Sequence, residues 1–65
     1  MKQRDVAIAQ KVQAIIGENQ HLSGFPIKVT ARDGTVYLSG WVDDQERLRE
    51  AELLAAGIVG VRRVV

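Results

Sequence analysis

Apolar residues near the start of the chain recur every three or four positions, as on one face of an α-helix. Asp5 is placed to cap this helix, because a carboxylate ahead of the first turn accepts a hydrogen bond from a free backbone N–H. Gly17 is a residue type that commonly ends a helix. The pattern predicts a helix over about Asp5–Ile16, with its apolar stripe at Val6, Ile8, Ala9, Val12, Ile15 and Ile16.

A β-hairpin is the strongest local prediction. Residues 27–32 and 35–42 alternate apolar and polar side chains on either side of Asp33-Gly34. Asp-Gly between two such runs is typical of a type I′ turn, in which both turn residues need positive φ. A two-residue loop pairs Arg32 with Thr35, and the register that follows places like side chains on the same face. The apolar face would consist of Ile27, Val29, Ala31, Val36, Leu38 and Val42. The polar face would consist of Lys28, Thr30, Arg32, Thr35, Tyr37, Ser39 and Trp41.

Gly40 falls opposite Ile27 on the apolar face in this register. A glycine inside a strand often marks a close approach of another element. We therefore expect Gly40 to let a helix pack closely against the sheet.

A second helix and a short strand complete the pattern. Asp43 and Glu46 match a capping box, D-x-x-E, and Gly57 or Gly60 would end the helix. Val61–Val65 is rich in β-branched residues and predicts a third, short strand. The apolar stripe of the second helix is Leu48, Ala51, Leu54, Ala55 and Ile58.

Two apolar helix stripes and a single apolar sheet face predict the architecture. Both helices must cover the same face, which gives an α+β fold with the two-layer order αββαβ and one open sheet face. The crossover through the second helix favours parallel pairing of strands 2 and 3, with right-handed connection. The sheet would be three-stranded and mixed.

Composition argues against several classes of function but does not identify one. The 65 residues suffice for one domain, and the chain has no cysteine and a net charge of +1. Charge alone therefore gives no case for nucleic acid or membrane binding. The sequence shows no set of residues typical of an active site. His21 is the only histidine, and Ser23 and Ser39 have no evident general base to activate them as nucleophiles. Asp43-Asp44 is explained by helix capping. We predict no catalytic residue, no metal site and no cofactor.

One short motif favours a different class of protein. Gly57-Ile-Val-Gly60 has the GxxG spacing of RNA-binding KH domains. There the loop joins two helices, whereas here it joins a helix to a strand and its middle residues are apolar. We interpret it as a helix stop followed by a tight turn.

The combined pattern resembles the BON domain. The residues that carry the resemblance are Asp5 at the helix start, I-x-V-x-A-x-D-G-x-V-x-L-x-G-x-V over Ile27–Val42, and G-V-x-x-V over Gly60–Val64. The resemblance spans residues 1–65, which we take as a single domain cut from a longer protein. The family pattern usually continues past this point with an Asn and another apolar residue. A neighbouring domain or a second copy could therefore complete strand 3.

The resemblance implies a non-enzymatic binding module. BON domains are found in periplasmic and membrane-associated proteins, with phospholipid or other envelope components as proposed partners, and their family name reflects osmotic stress. Others accompany domains of cytoplasmic proteins, so protein–protein association, self-assembly and small-ligand or cation sensing stay open as alternatives. Asp5, Asp33, Gly34, Gly40, Asp43 and Gly60 are expected to serve the structure.

The polar sheet face is the candidate binding site. Its members are Lys28, Arg32, Tyr37 and Trp41, joined by Arg63 from strand 3. Basic and aromatic side chains suit an anionic lipid headgroup region. They also suit single-stranded nucleic acid or a protein partner, although nucleic acid is not the partner we expect. The plain alternative is a solvated sheet face without a ligand.

Overall fold

Two helices and a three-stranded mixed sheet make up the part of the chain that the computed structural model describes, residues 3–65. The strands lie in the order β1-β2-β3. This confirms the predicted α+β fold and the αββαβ order. The elements are α1 (Gln3–Glu18), β1 (Ile27–Arg32), β2 (Thr35–Gly40), α2 (Gln45–Ala56) and β3 (Arg63–Val64).

The hairpin has the predicted register. Arg32 pairs with Thr35, and the antiparallel pairing runs on to Ile27 opposite Gly40. Asp33 has φ of 50° and Gly34 has φ of 82°, as the type I′ turn requires. Because side chains alternate along a strand, this register separates an apolar from a polar face.

Both helices cover the apolar sheet face. Strand residues from that face and residues of α1 and α2 share one buried cluster, with Leu22 of the connecting loop packed into it. Burial of each large aliphatic side chain contributes roughly 1.5–3 kcal/mol. The buried apolar residues are Ile8, Val12, Ile16, Leu22, Val29, Ala31, Val36, Ala51 and Ala55.

The helix ends differ from the predictions. The expected cap, Asp5, lies inside α1, which already begins at Gln3, and the helix continues through Gly17 to Glu18. The cap of α2 is Asp44 instead of Asp43, since the Asp44 carboxylate accepts from the Arg47 N–H at 2.9 Å. The predicted Asp43–Glu46 capping box is therefore wrong by one residue. Gly57, rather than Gly60, ends α2.

Gly40 is required for a reason other than the expected one. It is exposed, has φ of +124°, and a Cβ there would stand 1.8 Å from the Pro26 carbonyl oxygen. The close approach is thus made by the backbone that enters β1, not by a helix. Helix approach does occur at Gly60, where a Cβ would lie 3.1 Å from Ile8 Cδ1 of α1.

Strand β3 is shorter than the predicted Val61–Val65. Val61 still belongs to a turn, because its N–H donates to the Ile58 carbonyl at 3.1 Å. Pairing with β2 is parallel, as expected, and joins Thr35 to Arg63. It extends to Val65, whose N–H donates to the Val36 carbonyl at 2.8 Å. Neither of the described helices is long and apolar enough to cross a membrane.

Candidate binding surface

The polar face of the sheet is open, and the register arranges its side chains in rows. Lys28 stands beside Ser39, and Thr30 stands beside Tyr37. The third row runs across all three strands, from Arg32 through Thr35 to Arg63. We call this surface the exposed sheet face; it consists of Lys28, Thr30, Arg32, Thr35, Tyr37, Ser39 and Arg63.

Three basic side chains give this face a positive charge, and the strands contain no acidic residue to balance it. Lys28, Arg32 and Arg63 are exposed, and β1, β2 and β3 contain no Asp or Glu. Neighbouring strands lie about 4.8 Å apart. Arg32 and Arg63 therefore each lie one strand spacing from Thr35, on opposite sides of it. The pair forms a cationic row near the hairpin turn, while Lys28 lies toward the other end of the sheet.

Tyr37 lies between these cations, whereas Trp41 does not. Tyr37 is in the central strand and 42% exposed. Trp41 follows β2, past the positive φ of Gly40, and its ring stands 5.7 Å from the ring of Phe25. It also borders a small apolar depression with Ile27 and Leu48, which lie on the helix side of the sheet. The structure therefore brings together four of the predicted site residues and places Trp41 at the end of the sheet.

Arg47 organises that end of the molecule, and the sequence analysis did not identify it. Its guanidinium lies 5.2 Å from the centroid of the Phe25 ring, a cation–π contact. Its Nε is 2.7 Å from the Asp43 carboxylate, and another of its nitrogens donates to the His21 carbonyl. These contacts tie the loop before β1 to α2. Only the i,i+4 spacing of Asp43 and Arg47 was readable from the sequence.

Asp5 holds the hairpin turn against α1. It is 2% exposed, and its carboxylate accepts from the N–H of Asp33 at 3.1 Å and from the N–H of Gly34 at 3.4 Å. A buried carboxylate is costly unless it is hydrogen-bonded. Asp5 therefore caps a turn rather than its own helix. Asp33 and Gly34 are joined to it through their backbone.

Gln13 covers part of the outer edge of β1. Its Nε2 donates to the Ile27 carbonyl at 3.0 Å, and its Oε1 accepts from the Val29 N–H at 3.1 Å. A side-chain amide carries one donor group and one acceptor, like a strand residue. Gln13, which lies outside the predicted apolar stripe of α1, thus occupies backbone groups that another strand would otherwise use.

His21 lies at the surface beside a carboxylate of α2. His21 Nδ1 lies 3.5 Å from Glu50 Oε1, and the imidazole is 70% exposed. Within residues 3–65, no three His, Cys, Asp or Glu side chains are placed to hold a metal ion. The GxxG segment contains the cap of α2 at Gly57 and a positive-φ turn at Gly60, as its structural interpretation predicted.

Comparison with known proteins identifies the family. A model described as the BON domain matches residues 4–65, nearly the whole chain. A search among curated proteins found no match. BON domains are non-catalytic and generally serve as binding modules, found in periplasmic and membrane-associated proteins. The chain has an αββαβ fold with one covered and one open sheet face. Because the family model matches residues 4–65, the chain belongs to the BON domain family.

Proposed function

We propose that this domain binds anionic phospholipid surfaces through the exposed sheet face, as part of a periplasmic or membrane-associated protein of the cell envelope. The observation that supports it is the placement of Lys28, Arg32 and Arg63 on one open face whose strands carry no acidic residue. Among residues 3–65 these three cations form no ion pair, so they are available to lipid phosphates.

The expected strength of this contact is modest. A basic residue near an anionic leaflet contributes about 1 kcal/mol, so three of them contribute about 3 kcal/mol. Tyr37 lies among them, and its amphipathic ring suits the headgroup level of a bilayer. Binding of one isolated domain is therefore reversible and weakens as salt screens the charges over about 10 Å.

Single-stranded nucleic acid fits the face less well than lipid does. Such ligands use aromatic rings that stack successive bases along a cationic groove. Tyr37 is the aromatic residue of the exposed sheet face, while Trp41 contacts Phe25 beyond the end of β2. A lipid surface needs no stacking and no groove, so the geometry favours the membrane.

Sedimentation with vesicles tests the proposal through a matched pair of variants. Lys28→Glu reverses a charge on the exposed sheet face, and Lys11→Glu makes the same change on the exposed side of α1. Reversing a contacting charge shifts binding by about 2 kcal/mol, or roughly 30-fold. We expect that loss for Lys28→Glu with phosphatidylglycerol vesicles, and a several-fold smaller one for Lys11→Glu.

Two outcomes would overturn the proposal. Absence of sedimentation of the wild type with these vesicles at low salt would exclude lipid binding. Equal losses for the two variants would show that net charge, and not the exposed sheet face, determines association. Vesicles of phosphatidylcholine alone serve as the neutral control for both variants.

A further inference from the structure

The two outer edges of the sheet differ in whether a side chain bonds their outward backbone groups. At β1, the outward Ile27 carbonyl and Val29 N–H are bonded to Gln13. At β3, pairing with β2 uses Arg63 and Val65, so strand alternation directs the N–H and C=O of Val64 away from the sheet. Among residues 3–65, β3 pairs only with β2. Gln13 thus occupies part of the β1 edge, whereas no group among residues 3–65 bonds the outward N–H and C=O of Val64, so the β3 edge is the more open one for another strand.

On the helix side, this edge lies beside a group of apolar side chains that we call the apolar shelf. Leu53 of α2 is 67% exposed and borders a groove along β3 together with Ala56, Val61 and Val64. Val64 pairs with the buried Val36, so its side chain lies on the same side of the sheet as α2. A strand added at β3 would direct every second side chain toward this shelf and would cover Leu53.

Charge defines the other side of such a strand. Arg63 pairs with Thr35 and belongs to the exposed sheet face, so the side chains that do not face α2 would lie beside it. The groove is bordered by Arg49, Arg62 and Arg63, with Glu52 as its acidic member. This excess of positive charge complements acidic side chains.

We propose that the β3 edge binds an extended peptide segment of a partner protein as a fourth strand, with apolar residues facing Leu53 and acidic residues facing Arg63. Main-chain hydrogen bonds to Val64 would provide the pairing, and the alternation of side chains would provide selectivity. The edge shares Arg63 with the exposed sheet face, but its pairing groups at Val64 and its apolar contact at Leu53 lie outside that face, so the inference goes beyond lipid binding.

The test is an NMR titration of the 15N-labelled domain with a short synthetic peptide in which glutamate alternates with valine. We expect chemical shift changes confined to the backbone of residues 62–65 and to Leu53 and Ala56, with slower hydrogen exchange at the Val64 amide. A peptide with lysine in place of glutamate should bind at least tenfold more weakly, because it meets three arginines.

Two variants separate the edge from the rest of the molecule. Val64→Pro removes the outward N–H but keeps the bonds to β2, because Arg63 and Val65 make those bonds. Proline is tolerated on edge strands. The variant should abolish the shift changes. Leu53→Glu should weaken binding at least tenfold. Leu48→Glu makes the same change elsewhere on α2, at another exposed leucine outside this groove, and should leave binding within twofold of the wild type.

Three results of the peptide titration would overturn this inference. They are shift changes centred on β1 or on Lys28, Thr30 and Tyr37 of the exposed sheet face, equal binding of the lysine peptide, and an unperturbed Val64 amide at millimolar peptide. Concentration-dependent shifts at Val64 without peptide would assign the edge to a second copy of the chain and would equally contradict it. Vesicle binding of Val64→Pro should stay unchanged, which keeps this test separate from that of lipid binding.

Discussion

Individual polar side chains in this domain act over long distances in the sequence. Asp5 bonds the turn residues Asp33 and Gly34, and Arg47 bonds the carbonyl of His21. The local pattern predicts Asp5 as the cap of its own helix because capping preferences are local, whereas its hydrogen-bond partners lie 28 and 29 positions away. A carboxylate near a helix start and a carboxylate under a hairpin turn have the same local sequence pattern.

Replacing Asp5 should destabilise the fold more than replacing a true helix cap. Asp5→Ala leaves two N–H groups of the turn without their carboxylate acceptor, and a buried donor without a partner costs about 1–3 kcal/mol. Asp44→Ala removes the exposed cap of α2, which costs about 1 kcal/mol. Urea unfolding should therefore show a loss for Asp5→Ala of about twice that for Asp44→Ala. Equal losses would show that the turn does not depend on Asp5.

At the scale of elements, prediction succeeded where the information was local and repeated. The hairpin register follows from alternation plus the turn chemistry of Asp33-Gly34, and the structure has that register throughout. The predicted end of α1 was wrong because a Cβ at position 17 would lie in open space, so no close contact requires glycine there, and a glycine inside a helix costs only about 1 kcal/mol. β3 was predicted too long because β-branched residues indicate strand character but do not define where pairing begins.

Part of the outer edge of β1 is bonded by a single side chain of α1, that of Gln13. We predict that Gln13→Ala speeds hydrogen exchange at the Val29 amide, because its acceptor is lost. Gln10→Ala makes the same substitution at an exposed position of α1 and is the control. Exchange at Val29 should rise about fivefold or more only in Gln13→Ala, in line with the roughly 1 kcal/mol value of one hydrogen bond. Identical exchange in the two variants would contradict an edge-protecting role.

At the scale of the whole molecule, the fold has a covered sheet face, an exposed sheet face and an open edge at β3. Period-two alternation was enough to predict that Lys28, Arg32 and Tyr37 share a face, and parallel pairing added Arg63. It failed for Trp41, because Gly40 at φ of +124° changes the chain direction before that residue. Neither Gln13 nor the shelf at Leu53 was predictable, since both depend on how the helices lie across the sheet.

The central claim is that the exposed sheet face is the surface that meets an anionic membrane. NMR line broadening on binding to lipid nanodiscs that contain phosphatidylglycerol measures this directly, residue by residue. The account predicts that amide signals of Lys28, Thr30, Tyr37 and Arg63 broaden first, whereas those of Lys11 and Ala14 on the exposed side of α1 broaden least. Broadening that begins on α1, or that is uniform over the molecule, would contradict it.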